Sequence, residues 1–97
     1  MEFVQIIEMQ TKRFDEIEKL HEAWLAETEG TRTAGTELVV KDRDRPDTYQ
    51  VIVRFPSYEA AMENDKLPAT QKFAEEINGM LDAPPVFRNL DLVRTDN

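Results

Sequence analysis

Four short apolar runs, FVQII, TELVV, YQVIVRF and FRNLDLV, are interrupted by two helical stretches, so this chain of 97 residues spells β-α-β-β-α-β. Successive residues of a strand point to opposite faces, and a half-exposed antiparallel strand therefore alternates apolar and polar side chains. Here Phe3-Val4, Ile6-Ile7, Val39-Val40 and Val51-Ile52-Val53 put apolar groups on both faces. Two helices can cover one side of the sheet. The sequence thus predicts that a second copy of the chain covers the other, as a homodimer. The expected class is α+β, a βαββαβ unit with a four-stranded antiparallel sheet, as a single domain over residues 1–97.

Size supports that reading, because a domain of this length buries only about 60 to 65% of its unfolded surface on its own. The chain has no cysteine, which removes a disulfide framework, a thiolate zinc site and a thiol nucleophile, and fits a reducing, cytoplasmic setting. No apolar run approaches the roughly 20 residues needed to cross a bilayer. The first residues, MEFVQIIEMQ, lack a basic start and a cleavage site, and read as the first strand rather than a secretory signal. With 20 acidic against 12 basic side chains the net charge is −8, spread along the chain, which repels phosphate backbones and argues against nucleic acid as a partner.

Strand one is expected from about Phe3 to Met9, with Thr11 capping a helix that ends near Gly30. On that helix Phe14, Ile17, Leu20, His21, Trp24, Leu25 and Thr28 form one stripe. A hairpin follows, centred on Leu38 to Val40 and on Thr48 to Phe55, with KDRDRPD as a solvated tip whose charges and Pro46 resist edge pairing. Ser57, Pro68 and Gly79 then punctuate a helix in two pieces that breaks at Asp65 to Leu67. Tyr58, Ala61 and Met62 make the inward stripe of the first piece; Phe73, Ile77, Met80 and Leu81 make that of the second. The last strand is expected from about Val86 to Val93.

His21, the sole histidine, falls near the centre of its helix's apolar stripe beside Trp24. Left unpaired there it would cost about 1 to 3 kcal/mol, so either a structural partner or a ligand must meet it. One histidine without HxH or HxxxH spacing is not a metal site. Trp24, Tyr49 and Tyr58 read either as core or as the wall of a pocket with polar tips. Arg54, set between Val53 and Phe55, either forms an ion pair, Asp91 being the candidate partner, or anchors a ligand. The candidate ligand-binding set is therefore His21, Trp24, Tyr49, Arg54 and Tyr58. Neither a serine-hydrolase elbow nor a nucleotide loop is present, and no cofactor is implied.

SYEAAM, LPATQ and FRNLDLV, within Ser57 to Arg94, resemble small proteins of the dimeric α/β-barrel group, related to antibiotic-biosynthesis-monooxygenase-like domains. The resemblance implies a ferredoxin-like half whose sheet joins that of a twin in an eight-stranded barrel, with a pocket between each sheet and its own helices. Relatives of that kind include cofactor-independent oxygenases, haem-degrading proteins and lactone isomerases. The haem-degrading ones place an Asn on the first strand and a His on the second helix, where this chain has Gln5 and no histidine. Three readings stay open: a holder of a small, largely apolar molecule; a cofactor-independent monooxygenase or isomerase in which His21 moves a proton and Arg54 stabilises an oxyanion; and a structural assembly module. A cavity of roughly 300 Å³ separates the first two from the third.

Overall fold

The computed structural model describes residues 1–97, with strand β1 (Phe3–Gln10), helix α1 (Phe14–Glu27), strands β2 (Glu37–Lys41) and β3 (Thr48–Phe55), helices α2 (Tyr58–Lys66) and α3 (Pro68–Asn78), and strand β4 (Val86–Asp91). The four strands form one antiparallel sheet in the order β2-β3-β1-β4. This is the expected α+β architecture. Its divided helix has the expected punctuation. The Ser57 hydroxyl accepts from the Ala60 N–H at 3.1 Å, and Pro68 opens α3 where its missing N–H leaves no bond unmade.

Three terminal details differ from expectation. Thr11 is not the cap of α1, which begins after Arg13; it is a wholly buried tie between loops. Its hydroxyl accepts from the Arg13 N–H at 2.9 Å and donates to the Met80 carbonyl at 2.7 Å, while its own N–H donates to the Asp47 carbonyl at 2.9 Å. The first helix closes at Thr28, and Gly30, with a left-handed φ of 83°, belongs to the turn beyond it. Strand β4 ends at Asp91, short of Val93.

Register resolves the parity that apolar runs on both faces had hidden. Gln5, Ile7 and Met9 pair with Val53, Val51 and Tyr49, and this set faces the helices. Near one end Phe3, Val53, Phe55 and Ala61 of α2 make the tightest core. The opposite parity forms the outer face, with Val4, Ile6 and Glu8 beside Arg54, Ile52 and Gln50. To it β2 adds Leu38 and Val40, and β4 adds Val86, Arg88 and Leu90. No helix covers this side. Leu38 is 54% exposed, and only 13 of the 97 residues are buried, because the outer face and all of β4 lie open.

Two polar side chains on that face sit differently from expectation. Arg54 does not meet Asp91, which lies opposite Phe3 on the inner face; it pairs with the Glu2 carboxylate instead. Arg45, in the loop expected to stand in solvent, folds back over the sheet to Glu8 at 2.7 Å and is braced by Asp42 at 2.8 Å. Gln50 Nε2 also donates to Glu8, at 3.0 Å. Arg45 and then Gln50 hold the Glu8 carboxyl below the usual carboxylate range.

Candidate functional site

Between the inner face of the sheet and helices α1 and α3 lies a partly open cavity of about 130 Å³. Twelve of its 19 lining residues are hydrophobic, so the space is apolar with a few polar groups set into it. Its volume is less than half the roughly 300 Å³ expected of a binding or catalytic pocket, and by that measure alone the structural-module reading is the one favoured. The space is close in volume to the ~150 Å³ of an engineered apolar cavity that takes up benzene. One ring fits; a multi-ring molecule does not enter unless the helices move apart.

One wall is an aromatic stack carried on α1 and α3. Trp24 lies 5.6 Å from the His21 ring and 6.3 Å from that of Phe73, centroid to centroid, and its indole N–H donates to the Thr70 hydroxyl at 2.8 Å. That hydrogen bond satisfies the buried polar end of the ring and fixes its plane. On the floor, Gln5 Nε2 donates to Asn89 Oδ1 at 3.1 Å. Asn64, 6% exposed, accepts from the Thr33 N–H at 3.3 Å through its amide oxygen, and its amide nitrogen has no protein partner.

His21 and Glu37 supply the only close charged pair of the lining. His21 Nε2 lies 2.7 Å from Glu37 Oε1, with both side chains about four-fifths buried. The carboxylate oxygen lies off the line of the Nε2–H, so the contact is an ion pair when His21 is protonated and leaves the buried nitrogen without a well-aligned hydrogen bond. The Glu37 contact, opposed by desolvation and helped by Glu18, raises the His21 pKa above its ordinary value. A proton bound more tightly in the folded state stabilises it fully below the unfolded value of about 6.5, and that contribution is lost as pH rises through the higher folded value. The stability difference between the natural chain and Glu37→Gln, read from urea unfolding, is therefore expected to shrink as pH is raised from 6 towards 9. A difference independent of pH would remove the charged pair.

Of the five residues singled out by sequence, His21 and Trp24 line the cavity. Tyr49 is on the correct face but stacks flat against Phe14, at 4.0 Å, and Phe14 rather than Tyr49 meets the space. Tyr58 does not join the inward stripe; it is 51% exposed and touches Phe3 edge-on at 5.4 Å. Arg54 lies across the sheet, remote from the lining. Glu37 and Asn64 went unmarked. Glu37 opens an apolar run two residues before Val39, a period that puts both on one face, and Asn64 follows Ala61 by three on the inward stripe of α2.

A four-stranded antiparallel sheet carrying its helices on one side, with a pocket between the layers, defines the ferredoxin-like α+β fold. Solved structures with this fold include those of antibiotic-biosynthesis-monooxygenase-like proteins. A candidate antibiotic biosynthesis monooxygenase from Caulobacter crescentus superposes with a TM-score of 0.84 at 14% identity, over 96% of this chain and 91% of that one. Rv0793 from Mycobacterium tuberculosis gives 0.82 at 13%, over the full length of both chains. SnoaB from Streptomyces nogalater, a cofactor-independent oxygenase, gives 0.80 at 13%, over 97% and 95%. The chain matches no protein-family model and no curated protein by sequence. No helix is long and apolar enough to cross a membrane.

Proposed function

We propose that the chain is a homodimeric small-molecule-binding protein that holds one largely apolar ring between its sheet and helices. The observation that carries the reading is the cavity itself: apolar walls, a volume of about 130 Å³, and an indole whose polar end is already satisfied. Leaving such a space open forgoes packing contacts, which a bound ring would restore. The apolar outer face supports the dimer, because water would otherwise meet Leu38, Val40, Ile52 and Leu90 together.

A second reading, a cofactor-independent oxygenase or isomerase of a one-ring substrate, is favoured by His21. Its buried Nε2 is misaligned with Glu37, and once deprotonated, at pH above its raised pKa, that nitrogen can take a proton from a ligand after a small rotation. Arg54 has no part in this, being on the far side of the sheet.

One experiment addresses both. Trp24 is the only tryptophan, so its emission reports on the cavity. Toluene and phenol are expected to shift it saturably, whereas two-ring naphthol is not. Consumption of phenol in air, lost in His21→Ala, would establish the enzymatic reading; binding without consumption leaves the holder. No response to any ring would mark the interior as a structural void and sink both readings.

A further inference from the structure

One donor in the wall of the cavity has no acceptor aligned with it. His21 Nε2 is wholly buried and makes no hydrogen bond, the one such side-chain atom in the protein. Glu37 Oε1 lies 2.7 Å away but off the N–H line, so it supplies charge and leaves the donor unmet. Below its raised pKa the imidazole carries protons on both nitrogens, which makes Nε2 a donor with no acceptor capacity. Trp24 at 5.6 Å and Phe73 at 6.0 Å flank the ring, so its edge can turn into the cavity it borders while its faces stay covered.

A second residue calls for the same kind of partner. Asn64, 6% exposed, takes the Thr33 N–H on its amide oxygen at 3.3 Å, which fixes the other end as the NH₂, and no protein atom accepts from it. Both residues border the cavity, His21 from α1 and Asn64 from α2. A hydrocarbon guest that excludes water leaves these donors unmade, whereas a guest carrying an acceptor satisfies one of them. That acceptor is a neutral group. The charge on His21 is already matched by Glu37, and no Lys or Arg lines the space, so a ligand anion would find no cation of its own.

We propose that the cavity selects a single ring carrying a neutral hydrogen-bond acceptor, such as an aryl carbonyl or nitrile, and that His21 Nε2–H is the donor that recognises it. This rests on the single-ring reading above and names the ligand class for that same site. The ring occupies the apolar part of the space, among Ile17, Val39, Val51 and Phe73, and the acceptor end meets the edge of the imidazole. Glu37 has a positioning role: its carboxylate keeps on His21 the proton that makes the donor.

Benzonitrile and phenylacetylene are the probes, since each is one ring with a linear two-atom substituent and only the first ends in an acceptor. Both are titrated against Trp24 emission at pH 6, where the imidazole is protonated. The natural chain is compared with a His21→Phe, Glu37→Leu double variant, which removes the donor without stranding a carboxylate. Taking the ratio of the two affinities in each chain cancels the probes' different costs of leaving water. In the variant that ratio is expected to move roughly tenfold or more against benzonitrile, as loss of a buried hydrogen bond requires. The nitrile stretch of bound benzonitrile reads the contact in the natural chain itself, and should lie above its position in hydrocarbon solvent, because an in-line N–H donor raises it. An unchanged ratio in a variant that circular dichroism shows to be folded, or a stretch at the hydrocarbon position, would overturn the selection and leave the cavity reading standing. If neither probe binds the natural chain, the cavity reading itself falls.

Discussion

Ile52→Asp is expected to convert the proposed dimer into a folded monomer. Ile52 is central on the outer face, on one rung with Leu38 of β2 on one side and Ile6 of β1 on the other, with Arg88 beyond Ile6. A carboxylate introduced there is hydrated in the monomer and dry in a sheet-on-sheet dimer, where it lacks a partner and appears once per protomer. Several kcal/mol lost at such a contact weakens association by roughly a thousandfold. Secondary structure and cavity binding should survive, because the inner face is untouched. Val51→Asp gives the reverse pattern. Val51 lines the cavity, so its replacement should impair ring binding and stability while the outer face still pairs. Sedimentation of the three chains at micromolar concentration decides the matter: a monomeric natural chain, or a dimeric Ile52→Asp chain, would overturn the assembly.

The contrast between Val51 and Ile52 also shows where the sequence ran out. Element order was legible because apolar clustering and cap residues are local, and Ser57, Pro68 and the strand runs act where they stand. Parity was not legible, since three successive apolar residues give no clue to which points inward. Partners across strands were hidden for a related reason. Whether Arg54 meets Asp91 or Glu2 depends on face and register together, and register is set by pairings far apart in sequence. His21 and Trp24 could be placed on the cavity because helical periodicity over a long stripe is a strong signal. Glu37 could not, since a lone acid at the start of a strand is ordinarily a solvated edge. Arg45 was hidden in the same manner, as a charged loop residue that bends back to a strand glutamate.

Trp24→Ala is expected to cost about 3 to 5 kcal/mol, the range for deleting a large buried aromatic side chain, which is a large share of the ~5 to 15 kcal/mol that holds a small domain folded. The ring is 7% exposed and joins α1 to α3 through Phe73 and through the bond to Thr70. No other side chain links those helices with both an aromatic contact and a hydrogen bond, and together the two helices roof the cavity. Trp24→Phe separates the contributions. It keeps most of the apolar contact and removes the donor, so about 1 kcal/mol of the loss is assignable to the Thr70 hydrogen bond. Urea unfolding followed by circular dichroism measures both, and an unchanged dependence on denaturant would show that the effect lies in the folded state. The alanine variant should also gain room for a second ring, because the vacated volume adjoins the cavity. A loss below about 1 kcal/mol for Trp24→Ala would mean the helices are held by other contacts, and the indole would then be a wall of the pocket without being its support.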